Sequence, residues 1–219
     1  MKRKAFACVR RALGILAMVA SVTIPTLAGP PLICWPIDIG PAQSLPWPAN
    51  GQSVTGRPDY DVNRLVADTL ALLDPGTAVI VRMETLRRAT IYAQRDSNAA
   101  RELLLQLESR GDKNQSDALA VFDLGYLIEC YKQAELARSQ GLGAWRGTQW
   151  RNPAPGEDGY ALVKKAIALR GDNAEMEFAA ALITMETSDD AHQQHVRRAM
   201  AGAKADGLLA QNIAARFAK

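Results

Sequence analysis

His192 and His195 are the chain's two histidines, and an i, i+3 spacing on a helix puts both imidazoles on one face, within reach of one metal ion. A metal centre needs a third or fourth ligand. Asp189 and Asp190 are near, but the stretch around Ser188 has the composition of a solvated helix start, so no metal is assigned. Outside residues 1–28 the chain has no glycine-rich phosphate loop, no GxSxG elbow, no CxxC and no HExxH, so no cofactor and no catalytic residue is assigned either. Two of the 23 acids meeting in a cleft is the chemistry left open to an enzyme. The strongest binding candidate is Arg82, Glu84, Arg87, Arg88 and Tyr92, with Arg95 beyond them. Glu84, Arg87, Arg88 and Tyr92 share part of a helical surface, where Glu84 and Arg88 form a favourable i, i+4 ion pair. That pattern has two readings: a charged outer face laced by local ion pairs, or guanidiniums beside a tyrosine that take a carboxylate or a peptide. Trp145 and Trp150, beside Arg146 and Arg151, are a second candidate surface, or else plugs between helices.

The charge balance argues against nucleic acid. The formal charge of +3 includes Lys2, Arg3, Lys4, Arg10 and Arg11; without them 21 bases face 23 acids. A slightly acidic remainder with scattered arginines lacks the concentrated basic surface that counterion release requires. Those five cations precede the apolar run 12–24, then Pro25 and small residues before Ala28/Gly29, the three parts of a secretory signal peptide. The run is shorter than the roughly 20 residues of a membrane span. Residues 1–28 are therefore expected to be removed on export to the periplasm or medium. Cys34 and Cys130 would then remain in an oxidising compartment. A Cys34–Cys130 disulfide is one expectation; two unrelated buried thiols are the other.

Seven of the eleven prolines lie between positions 29 and 58. Proline lacks the donor that helices and central strands need, so this stretch is expected to be an extended arm. Ile33, Trp35, Ile37, Ile39, Leu45 and Trp47 are too apolar for a solvated tether and should lie against the main domain. From residue 59 to 219 the apolar spacing is helical. Helices are expected over about 61–73, 77–94, from Ser97 to a stop at Gly111, and from a cap at Ser116 or Asp117 to about 139. Others follow over about 159–169, 173–186, 191–203 and 207–218, with Asp172 and Glu175 at the spacing of a capping box. The 117–139 helix is apolar on two faces. Val121, Leu124, Ile128 and Tyr131 form one stripe, while Tyr126, Leu127, Cys130 and Ala134 form another, so something besides neighbouring helices must cover the second. The arm, pinned through Cys34 with Trp35 over this face, is the expected cover. The fold class is therefore expected to be all-α.

Val163-Lys-Lys-Ala-Ile-Ala returns as Val196-Arg-Arg-Ala-Met-Ala 33 residues later, and a helix-pair period of that length marks stacked arrays. The junction Lys165-Ala-Ile-Ala-Leu-Arg-Gly-Asp-Asn-Ala-Glu175, the pattern Val121, Leu124, Gly125, Ile128 and the segment Thr69-Leu-Ala-Leu-Leu-Asp-Pro75 resemble tetratricopeptide repeats, with Gly171 where that family usually has proline. The resemblance implies antiparallel helix pairs stacked in a right-handed array, Gly125 at a close helix approach, and Ala166 and Ala199 facing neighbouring helices. It also implies a concave groove for a peptide or protein partner. Arg82-Met-Glu-Thr-Leu-Arg-Arg-Ala-Thr-Ile-Tyr-Ala93 resembles a block in exported bacterial proteins, a likeness that carries no activity with it. A binding or scaffold module is the leading expectation; an exported hydrolase with a carboxylate site is the alternative.

Overall fold

The computed structural model describes residues 29–49, 55–171, 173–186 and 189–217. The expected signal peptide, Asp172 and Ser188 lie outside them. Among the described residues there are nine α-helices, two 3-10 turns and no strand, so the fold is all-α. The helices are α1 Pro31–Cys34, α2 Leu65–Leu72, α3 Val79–Ala93, α4 Ser97–Lys113, α5 Ala118–Ser139, α6 Gly159–Arg170, α7 Ala174–Thr184, α8 Asp189–Gly202 and α9 Leu208–Phe217. No helix among the described residues is long and apolar enough to cross a membrane.

Side-chain caps set four of the helix starts. Asp96, Asp117, Asp158 and Asn173 each accept a hydrogen bond from a first-turn N–H of α4, α5, α6 and α7, respectively. Each cap satisfies a donor that the helix itself leaves orphaned. Two local expectations fail for packing reasons. Gly111 does not stop α4, which runs on to Lys113; this glycine is buried, with Leu124 of α5 in ordinary contact range of the position a Cβ would take. The cap of α7 is Asn173, one position after the expected Asp172, and Glu175 crosses to the start of α3, where it accepts from Ile80 N at 3.1 Å. Ala78, at the N-cap position of α3, offers no side-chain acceptor, so the cap comes from α7.

Three helices, α3, α5 and α7, contact one another at the centre. On α3 every residue from Val79 to Ala93 except Arg88 is buried, a pattern that only a helix covered on all sides can sustain. Helices α2 and α4 pack on α3, α4 and α6 on α5, α6 and α8 on α7, and α9 on α8. Ala166 and Ala199 are both fully buried. Helices α5 and α6 cross closely. A Cβ at Gly125 would lie 2.7 Å from the Gly159 carbonyl oxygen and 2.8 Å from Leu162 Cβ.

Residues 29–49 run irregularly across the centre. Helix α1 packs on α3, α5 and α7, and Leu32, Ile33, Ile37, Ile39 and Leu45 are buried. Trp145 and Trp150 are buried as well, stacked edge-to-face at 5.4 Å, with Trp150 also 5.7 Å from Tyr131 of α5. The loop 140–158 thus fills a gap beside α5, and these tryptophans are plugs rather than a binding surface.

Arg82 is also interior. Its guanidinium donates to the Thr77 carbonyl at 3.0 Å, to the Asp74 carbonyl, and at 2.5 Å to Asp123 of α5, so it fastens the α2–α3 turn to α5 and belongs to no surface. Asp123 is wholly buried, and one of its oxygens has no hydrogen-bond partner. Burial outweighs the Arg82 charge and raises its carboxyl to about 7. An unfolded aspartate titrates near pH 3.9. The native chain therefore binds the extra proton between these two values. The stability it contributes is full below about pH 4 and is lost as pH rises through about 7, with a slope of up to about 1.4 kcal/mol per pH unit. Urea unfolding of the wild type should lose stability from pH 5 to pH 8, and Asp123→Asn should flatten that trend; an equal slope in both proteins would contradict it.

Candidate functional site

The inner face of α3 carries Glu84, Thr85, Arg87, Arg88 and Tyr92, at spacings that bring them onto one side of the helix. The arm lies on this face and buries all of it but part of Arg88. Glu84 is fully buried and accepts from Arg87 Nε and Nη2 at 2.7 and 2.8 Å, from Arg88 Nε at 2.7 Å, and from the backbone N–H of Ile37 at 3.0 Å. Arg87 Nη1 donates to the Ile33 carbonyl at 3.0 Å and Arg88 Nη1 to the Leu45 carbonyl at 2.7 Å. The Thr85 hydroxyl pairs with Ser44 at 3.0 Å. The Tyr92 hydroxyl donates to the Pro46 carbonyl and accepts from Arg57 N at 3.0 Å.

Two further helices complete the grip. Gln133 of α5 accepts from Leu32 N at 2.6 Å. Asn212 of α9 accepts from Asp38 N at 2.9 Å and donates to the Asp38 carbonyl at 2.8 Å; a side-chain amide carries both a donor and an acceptor and so satisfies one residue's backbone twice. Arg216, one turn on, donates to the Pro36 carbonyl and lies over the Trp35 ring at 5.3 Å. Among these bonds to residues 29–49, all but the Thr85–Ser44 pair go to backbone, as they must where an irregular segment is buried and its polar groups need partners.

Charge holds this floor together. Burial raises the Glu84 carboxyl, but Arg87 and then Arg88 outweigh it and hold the group below the usual range. Burial lowers Arg87, yet Glu84 keeps it above its ordinary value. Arg216 is lowered, first by burial and then by the charge of Arg87.

The five α3 residues named from the sequence are thus neither a solvated face nor an open surface. Arg82 is separate, whereas Glu84, Arg87, Arg88 and Tyr92 do grip a peptide segment, which is the chain's own arm. Gln133, Asn212 and Arg216 escaped the sequence reading. The one signal for the last two was their i, i+4 spacing on α9.

Cys34 and Cys130 are free thiols, so the expected disulfide is not formed and the arm is held by packing and hydrogen bonds. Burial pushes the Cys130 thiol strongly up, and it pushes Cys34 up against the pull of Arg87. A thiolate is the reactive form. Half-buried Cys34 should therefore alkylate slowly in the native protein and Cys130 only on unfolding. Mass mapping after iodoacetamide checks this, and early labelling of Cys130 would contradict it.

The two histidines do not converge. His195 is buried on α8, between Glu177 at Nδ1 and the Tyr160 hydroxyl at Nε2, 2.8 Å away, whereas His192 Nδ1 pairs with the Ala181 carbonyl at 2.9 Å. His195 therefore sits inside the helix packing. A hydroxyl, an imidazole and a carboxylate in series resemble an activated nucleophile, but burial and the Glu177 charge push the Tyr160 phenol up, away from activation. The relay ties α6, α7 and α8 together. Among the described residues no three of His, Cys, Asp and Glu are grouped to hold a metal.

No protein-family model, curated protein or solved structure matches this chain.

Proposed function

We propose that this chain is an exported helical module that binds an extended peptide or protein segment in the groove formed by α3, α5 and α9, with its own N-terminal arm as the resting occupant. The observation that carries the reading is the set of side chains from three helices that hydrogen-bond the backbone of residues 32–46. Contacts to backbone give affinity with little dependence on sequence, the division of labour found in peptide recognition. Tyrosine and arginine supply the anchors. Export follows from the basic start and apolar run of residues 1–28, and cleavage after Ala28 would leave Gly29 as the first residue of the arm.

The test is to place a specific protease site within residues 50–54 of the full chain, cut it, and add a labelled peptide of residues 29–49. Exchange of the labelled peptide into the cut protein supports a groove that takes a separate segment. An arm that never exchanges, even in large excess of peptide, would remove the proposal. Edman sequencing of the exported chain should begin at or near Gly29.

A further inference from the structure

The arm does more than offer its backbone. Around Trp47 the floor changes character: Arg87 and Arg88 lie over the indole at 4.9 and 5.4 Å, and Tyr92 meets it edge-on at 5.6 Å. Tyr92 is backed by Tyr60 at 4.3 Å and by Arg95 at 4.8 Å from its ring. Gly56 closes the niche; a Cβ there would fall 2.6 Å from Tyr92 and 3.2 Å from Trp47. A cation over an indole and an edge-on aromatic pair each favour a flat π-system over an aliphatic side chain.

The residues flanking Trp47 fit this niche for a separate reason. Pro46 and Pro48 carry no N–H, so this part of the arm presents acceptors and a ring. The floor answers with donors: Arg88 Nη1 to the Leu45 carbonyl at 2.7 Å and Tyr92 to the Pro46 carbonyl. Donors set beside aromatic rings are how proline-rich extended segments are recognised elsewhere, since such segments are already stiff and lose little entropy on docking.

We infer that the Arg87–Arg88–Tyr92 niche selects partner segments in which an aromatic residue stands between prolines, and that such a partner binds by displacing Trp47 of the arm. This rests on the peptide-groove reading above and adds its specificity. Trp47 then acts as an internal competitor, and removing it should open the niche without touching the floor.

The probe is a fluorescent peptide with the sequence of residues 43–49, Gln-Ser-Leu-Pro-Trp-Pro-Ala, titrated by anisotropy against the full chain and its Trp47→Ala variant. The variant should bind on the order of tenfold or more tighter than wild type, and a peptide with alanine in place of tryptophan should lose that gain. Equal binding of the two peptides by a folded Trp47→Ala chain overturns the inference. So does light scattering that shows wild-type chains pairing through exchanged arms at the same concentrations, which would make a second copy the occupant. If Trp47→Ala does not fold, the protease-cut chain replaces it, with peptides 29–42 and 43–49 compared as entrants. Entry of 29–42 alone keeps the groove and removes the aromatic selectivity; entry of neither removes both; entry of 43–49, lost on Trp to Ala, supports the inference.

Discussion

Arg87→Met should destabilise the chain by about 3–5 kcal/mol, the range for a buried ion pair that loses one partner. Arg87 is fully buried and makes two hydrogen bonds to Glu84 and one to the Ile33 carbonyl, and it lies over Trp47. Methionine fills much of the volume but replaces none of these. Glu84 would be left buried with Arg88 as its one guanidinium, and the Ile33 carbonyl would lose its donor. Because the arm hangs from this residue at both Ile33 and Trp47, limited proteolysis should also cut within residues 29–49 faster in the variant. Two controls isolate the cause. Arg101→Met, at an exposed position on α4, should fall within about 0.5 kcal/mol of wild type. The double variant Glu84→Leu/Arg87→Met should cost less than the sum of its single changes, since no fully buried charge is then left unpaired and Arg88, partly exposed, keeps its bond to the Leu45 carbonyl. Equal urea midpoints for Arg87→Met and Arg101→Met would show that the pair carries no net stability.

Why the sequence hid this site can be seen at α3 itself. Glu84 with Arg87 and Arg88 at i+3 and i+4 is the pattern of a solvated helix face, and nothing local distinguishes it from the same pattern beneath an arm. What distinguishes it is tertiary: the cover begins about 50 positions earlier in the chain, at Ile33 and Ile37. The arm's own composition, apolar residues among prolines that must lie against something, is the local signal. It points toward α5 through a Cys34–Cys130 bridge, and α1 does pack on α5. The bonds that hold the arm, however, come mainly from α3 and α9. Gln133, Asn212 and Arg216 are ordinary surface residue types, and their role depends on backbone groups brought to them from elsewhere. The elements were more legible because their signals are local. Asp61, Asp117 and Asp158 precede their helices as caps do, and the two apolar stripes of α5 report burial on two sides whatever the cover proves to be.

Gly125 and Gly111 divide on the same physics, and the expected effects have opposite signs. Both sit inside helices, where replacing glycine with alanine gains up to about 1 kcal/mol of helix propensity. At Gly111 the new methyl would meet Leu124 Cδ2 at 3.8 Å, an ordinary contact, so Gly111→Ala should stabilise by a few tenths to about 1 kcal/mol. At Gly125 it would meet the Gly159 carbonyl oxygen at 2.7 Å and Val163 N at 3.0 Å. Both are backbone atoms, so no rotamer change relieves the clash and α5 must separate from α6. Separation also strains the bond in which Glu129 of α5 accepts from Tyr160 N at 2.9 Å, at the start of α6. Overpacking a tight crossing costs about 1–3 kcal/mol or more, which exceeds the propensity gain, so Gly125→Ala should be destabilising by at least about 1 kcal/mol net. Gly159→Ala, whose methyl would press on the Gly125 carbonyl and on Glu129 Oε1 at 2.8 Å, should behave alike. Because both changes relieve or strain one crossing, their joint cost should fall short of additive once the helices have moved apart. Thermal melts of the four variants decide it: a Gly125→Ala protein as stable as Gly111→Ala would mean that α5 and α6 do not approach as closely as their paired glycines allow.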